Sequence, residues 1–368
     1  MLFRSGYLIR MPNNHPATPL VWTGSFTGVP NNGSVGVTVT NGTYNAIGNP
    51  YPSTLDADTF ITDNNIAEAL YFWRKTNNAA TSSYATYTLA GGVSNSSGDP
   101  LGLTPNGIIQ VGQGFIAKST STSFDFTNSM RIEDNSDQFF RLAPEDKNRL
   151  WLNLTSTSGY FGQMLVAYMD TATLGIDAAI DGRYFNDFAT SLTSLIDNEE
   201  FTIQGRPLPF DVNDVVTLGF KSSEAGTFTI SINQLEGLFE ADNQNIYLKD
   251  NLTNTVHDLK TRGYTFASEV GVFNTRFELV YENLLALTQP AFSKNSVVVY
   301  NKNEDIVVNS GGVLMSKIQI YDIEGRLLLE RSSINSNEVQ FNLGSTNQVL
   351  IIKIFSNENE IVTKKIVN

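Results

Sequence analysis

Lys317-Ile318-Gln319-Ile320-Tyr321-Asp322-Ile323-Glu324-Gly325-Arg326-Leu327 reads as a strand, a tight turn and the start of a second strand. Ile318 and Ile320 alternate with polar neighbours and therefore share one face, because successive strand side chains point to opposite sides. Glu324-Gly325 supplies the reversal, since glycine takes positive φ without steric cost. Around this hairpin, residues 297–300, 305–308, 326–330, 339–343, 349–355 and 360–367 also have strand character. Together they make about seven short strands in residues 289–368, a count and spacing that fit an immunoglobulin-like sandwich.

The same grammar runs upstream. Residues 35–40 alternate and then break at Asn41-Gly42, a strong hairpin signal. Residues 227–232 alternate, with Phe228, Ile230 and Ile232 on one face, and further strands are expected at 150–154, 163–168, 215–220 and 246–250. Two short helices are expected. One covers 57–69, opened by Ser53-Thr54, with Asp56 and Asp58 as carboxylates facing the positive end of its dipole. The other covers 144–149, with Pro144 at an early helical position. Composition shifts at 131–138 and 287–290 divide the chain in three. Residues 1–135 form a β-rich region, the end of a larger extracellular domain; 136–288 form a β-sandwich; 289–368 form the last one. The expected class is all-β, with two or three β-sandwich domains in tandem.

Charge narrows the function. The hydrophobic fraction is 41% and the charged fraction only 17%, so Asn, Thr, Ser and Gly supply much of the polarity, as suits strands and turns. The net charge of -13 lies wholly in residues 1–289, with 16 basic against 29 acidic groups; residues 290–368 balance at eight of each. An acidic surface repels phosphate backbones, which argues against nucleic acid as a partner. Cysteine is absent, excluding disulfides and thiol chemistry. No apolar run reaches the roughly 20 residues of a membrane helix, so no transmembrane segment is expected. Met1-Leu2-Phe3-Arg4 leads straight into strand-like Tyr7-Leu8-Ile9-Arg10-Met11 without the basic and apolar stretches of a secretory leader. The chain is therefore expected to be the tail of a longer precursor.

The hairpin quoted above, together with the closing run Ile361-Val362-Thr363-Lys364-Lys365-Ile366-Val367-Asn368, resembles the type A C-terminal sorting domain of the type IX secretion system. The resemblance covers about residues 290–368. It implies a protein of the Bacteroidetes group, carried across the outer membrane and displayed on the cell surface or released, with the secretion machinery as its partner. It also implies that Tyr321, Asp322, Gly325, Arg326, Lys364 and Lys365 form the sorting signal. Where that family commonly opens on a Tyr-Pro-Asn-Pro-like segment, this chain has Val299-Tyr300-Asn301-Lys302-Asn303. Upstream, Ile47-Gly48-Asn49-Pro50-Tyr51-Pro52-Ser53 and Tyr247-Leu248-Lys249-Asp250 with Arg276-Phe277-Glu278-Leu279 are similar to segments of large flavobacterial surface proteins, implying adhesive or spacer domains that meet glycans or host and cell-surface ligands.

Catalysis has little support. His15 and His257 are the only histidines, and neither has a Gly-x-Ser-x-Gly partner or a His-Glu-x-x-His setting. The alternative reading is a non-catalytic, carbohydrate-binding tail of a secreted hydrolase. No organic cofactor is expected. Calcium is the candidate ion, because Asp170, Asp177 and Asp181 punctuate one glycine-containing loop, against the plain reading of solvated turn residues. Trp22, Tyr71 and Trp73 are candidates for a sugar-stacking platform, against the plain reading of core aromatics.

Overall fold

The computed structural model describes residues 27–74, 83–94, 104–133, 147–186, 188–242, 244–282, 292–303, 305–344 and 348–367. The protein is all-β: strands dominate and one α-helix occurs among the described residues. No helix among them is long and apolar enough to cross a membrane. The chain divides into two compact units. One is Met1–Glu145 with Ile176–Asn186 and Ile203–Gly205; the other is Asp146–Gly175, Asp187–Thr202 and Arg206–Asn368.

The first unit holds a five-stranded sheet in the order Tyr44–Gly48, Gly114–Lys118, Leu70–Arg74, Ser83–Thr88, Gly91–Val93. A two-stranded ribbon, Val35–Thr38 with Ser123–Phe126, and a three-stranded patch share its core. Phe60 sits at the centre, with ring centroids 5.3 Å from Phe115 and 5.0 Å from Phe126. The loop beginning at Asn49 is pinned by that residue. Its Nδ2 donates to the Ser53 carbonyl at 2.8 Å, and its Oδ1 accepts from the Tyr51 N–H at 2.9 Å.

Three local expectations are corrected here. The Asn41-Gly42 turn forms, with Gly42 at φ 72°, but it does not close a hairpin. Val35–Thr38 pairs with Ser123–Phe126 and Tyr44–Gly48 pairs with Gly114–Lys118, so the turn is a corner between two sheets. The helix is Ala57–Asp63 rather than 57–69. Asp56, rather than Ser53-Thr54, caps it by accepting from the Thr59 N–H at 2.7 Å. Asn64 ends it: its Nδ2 returns to the Phe60 carbonyl, its Oδ1 takes the Asp125 N–H, and Asn65 turns to φ 49°. Arg149, expected at the end of a second helix, lies in the strand Asn148–Ser156; residues 144–146 fall outside the described residues.

In the second unit, ten strands follow one hydrogen-bonded path from Thr255–Asp258 at one end to Tyr264–Ser268 at the other. The sheet doubles back on itself. Phe266, from the last strand of the path, lies 4.7 Å from Phe277 of the third, and Phe220 lies 5.3 Å from Phe228 across the same core. Two layers around one apolar interior make a sandwich. Phe228 and Ile230 are fully buried and Ile232 packs beside them, as the alternation at 227–232 predicts. Behind one wall, buried Asp250 binds Arg276 (Nη2 to Oδ2, 3.0 Å) and accepts from the Tyr264 hydroxyl at 3.0 Å.

The C-terminal sandwich of the same unit has two sheets. One runs Val298–Lys302, Asp305–Asn309, Glu338–Asn342; the other runs Leu327–Ser336, Met315–Tyr321, Val349–Ser356, Ile361–Val367. Ile318, Ile320, Leu350, Ile352, Ile354 and Val308 fill the space between. The outer face of the three-stranded sheet is covered too. Val298, Tyr300 and Val307 pack with Ala267 and Ala225 of the preceding sandwich. Lys364 Nζ reaches Glu269 at 3.1 Å across the same junction. Residues 297–300 are therefore buried on both faces, which explains their unbroken apolar run.

Candidate functional site

The hairpin that carries the sorting resemblance is built around one carboxylate. Asp322 is buried and accepts from the Arg326 N–H at 2.8 Å, the Glu324 N–H at 3.1 Å and Arg326 Nε at 3.0 Å. The Arg326 N–H, above the other contacts, holds its carboxyl below the ordinary aspartate range. Gly325 stands at φ 83° with open space around the position a Cβ would take, so its requirement is one of backbone rather than room. The residues that carry the resemblance consequently divide. Asp322 and Gly325 shape the turn, and Arg326 is presented by it, with its side chain 75% exposed. Tyr321 is half-buried under Lys353, whose Nζ lies 5.2 Å from the ring centre. Exposed Ile323 and Leu327 flank Arg326, an apolar pair that inspection for charged motifs passes over.

Lys364 and Lys365 have different surroundings. They are neighbours on Ile361–Val367, so their side chains leave opposite faces of the sheet. Lys364 is engaged with Glu269, whereas Lys365 is exposed.

The calcium expectation is corrected. Among the described residues, no group of three or more acidic or histidine side chains is placed to hold a metal ion. Asp181 binds backbone instead. Its Oδ2 accepts from the Asp177 N–H at 2.6 Å and its Oδ1 from the Gly205 N–H at 2.7 Å. A buried carboxylate whose two oxygens take backbone donors is organising the loop. Asp170 is exposed at the end of Phe161–Met169.

The aromatic candidates fare unevenly. Trp22 lies outside the described residues. Tyr71 is fully buried and supports from beneath, which corrects its reading as a stacking surface. Trp73 is 44% exposed. The two are i and i+2 on one strand and so share a face. Phe185, more than a hundred residues later in the chain, stacks on Tyr71 at 4.2 Å and meets Tyr44 at 4.9 Å and Tyr84 at 5.0 Å. Trp73 meets Tyr84 at 4.9 Å. Four rings, Tyr44, Phe185, Tyr84 and Trp73, thus run on in steps of one ring, and Tyr44 at the far end is 42% exposed.

A buried carboxylate anchors this row. Glu68 accepts from the Tyr44 hydroxyl at 2.5 Å, Lys118 Nζ at 2.7 Å and Arg183 Nε at 3.2 Å. Burial, then the bond to Glu68, raises the Tyr44 pKa, so that phenol remains a donor at any physiological pH. Tyr44, Glu68, Tyr84 and Phe185 were not marked by the sequence, because their convergence depends on strand order and on a distant segment.

His257 bonds the Arg262 carbonyl through Nε2 at 2.9 Å, a turn contact, and His15 lies outside the described residues.

These features define a tandem β-sandwich protein. The chain belongs to the family described as Domain of unknown function (DUF8693), whose model matches residues 1–281. A second model, Domain of unknown function (DUF8694), matches residues 285–368. No curated protein matches the chain. A similar solved structure is the central fibronectin-III array of RIM-binding protein, at 10% identity, covering 93% of this chain and 100% of that one with a TM-score of 0.16. A score that low carries no argument.

Proposed function

We propose that this is a secreted or cell-surface bacterial protein of the type IX pathway, in which residues 289–368 act as the sorting address and the upstream sandwiches bind or space without catalysis. The observation that supports the address is the division of labour at its turn. Asp322 and Gly325 fix a hairpin whose main product is an outward Arg326 flanked by exposed Ile323 and Leu327. A rigid turn that displays one cation between two apolar side chains suits recognition by another protein. The test places a signal peptide and a fluorescent protein ahead of the whole chain in a secretion-competent Bacteroidetes strain. Intact chain is expected in the medium or on the cell surface, with Arg326→Ala held back. Fluorescence left in the periplasm with the intact chain sinks the proposal.

A second reading concerns the upstream ligand, and the ring row supports it. Exposed Trp73 and Tyr44, joined through Tyr84 and Phe185 and bordered by Lys118 and Arg183, combine apolar faces with hydrogen-bond donors, as saccharide binding requires. Retention of the protein on glycan affinity gels is the assay. Trp73→Ala is expected to lose retention with an unchanged urea midpoint; equal retention by the variant removes this reading. The hydrolase-tail alternative calls for a catalytic domain in the same precursor, which the upstream coding sequence would reveal.

A further inference from the structure

We propose that the closing strand, Ile361–Val367, receives an extended acidic segment of a partner protein along its open edge. This strand is last in its sheet and pairs on one side with Val349–Ser356, from Phe355 opposite Ile361 to Val349 opposite Val367, with no register shift. Among the described residues its other side has no backbone partner, and Asn301 Nδ2 closes only the Val367 carbonyl, at 2.8 Å. Such an edge offers alternating N–H and C=O groups at the spacing a further strand needs. The opposite edge of the same sheet is less suitable. Leu327–Ser336 is broken by Ser333 and Asn335 at φ 58° and 47°, which disrupt a regular ladder.

Charge selects the occupant. Ile361, Thr363, Lys365 and Val367 are exposed, and Lys353 stands opposite Thr363 on the neighbouring strand. Among the described residues neither Lys365 nor Lys353 has a carboxylate partner; Lys353 lies over the Tyr321 ring. Glu360 precedes the strand, so the basic character belongs to its second half. A second copy of this chain is a poor occupant. Antiparallel pairing of the strand with itself about its centre sets Lys364 against Lys364, and like charges directly opposite destabilise a sheet. An incoming strand with glutamates near Lys365 and β-branched residues near Ile361 and Val367 has the complementary pattern. The inference rests on reading the closing strand as a recognition element, and it names the chemistry of what that element meets.

The test uses the full 368-residue chain and two fluorescein-labelled probes, Thr-Val-Glu-Val-Glu-Val-Thr and its counterpart with lysine for glutamate. Fluorescence anisotropy is expected to show the acidic probe binding about tenfold tighter. Amide exchange is expected to slow within residues 361–367, and Lys365→Glu is expected to invert the preference without moving the urea midpoint. Equal binding of the two probes, no binding by either, or exchange protection elsewhere overturns the proposal. Export of Lys365→Glu separates this site from the export reading. A variant that prefers the basic probe yet reaches the medium keeps the strand-accepting edge and removes Lys365 from sorting.

Discussion

The C-terminal sandwich has two sheets with different outer faces. The three-stranded sheet turns Val298, Tyr300 and Val307 outward and is covered by the preceding sandwich. The four-stranded sheet turns Lys317, Gln319, Tyr321 and Lys353 outward, with lysine ammonium groups lying over rings: Lys317 over Phe355 at 4.3 Å and Lys353 over Tyr321 at 5.2 Å. One domain thus has a face that must be covered and a face that tolerates water, because the lysine stems and ammonium groups shield the aromatic surface. The identity of the outward-facing residues, more than the strand count, says which side of a small sandwich is an interface.

That contrast can be broken hardest just behind the covered face. Asp250→Ala leaves Arg276 buried without its partner, and Arg276 also bonds the Ala267 carbonyl at 3.2 Å, the residue on which Val298 and Tyr300 rest. Urea denaturation of the full chain is expected to show a loss of about 3–5 kcal/mol. Next comes a matched pair of tyrosines. Tyr300→Ala, on the covered face, is expected to cost about 3 kcal/mol. Tyr321→Ala, on the open face, is expected to cost about 1 kcal/mol or less. Equal costs would mean that the two faces are equivalent in solution.

The turn gives smaller effects. Gly325→Ala forces an L side chain into left-handed backbone at a cost of about 1–2 kcal/mol by the same denaturation assay. Asp322 adds a pH dependence. Its carboxyl titrates below the ordinary value, so its contribution is complete above the unfolded pKa of about 3.9 and is lost as pH falls through the lower folded value. Asp322→Asn is therefore expected to flatten the acid limb of stability between about pH 5 and pH 2. The smallest difference separates the two lysines: Lys364→Ala is expected to cost about 0.5 kcal/mol through Glu269, and Lys365→Ala nothing measurable.

Much of this architecture was legible in the sequence. The seven C-terminal strands, the Gly325 turn and the inward Ile318 and Ile320 follow from period-two alternation and turn chemistry. Residues 297–300 read as a strand, but neither the burial of both its faces nor the identity of what covers it followed from the sequence. Asn41-Gly42 signals a turn and says nothing about which strands it joins, since pairing is settled by Ser123–Phe126 and Gly114–Lys118 far downstream. The helix stopped early because Asn64 found a partner in Asp125, again a distant residue. The ring row escaped for the same reason: Phe185 completes it from another part of the chain. Asp170, Asp177 and Asp181 show the reverse error, where closeness in sequence suggested a shared ligand and Asp181 instead serves two backbone N–H groups.

The covered face has a practical consequence for anyone producing this terminus by itself. Cut away alone, the last sandwich would carry Val298, Tyr300 and Val307 bare to solvent, an apolar patch of the kind that drives self-association. A fragment that keeps Ala225 and Ala267 keeps the cover that shelters this face.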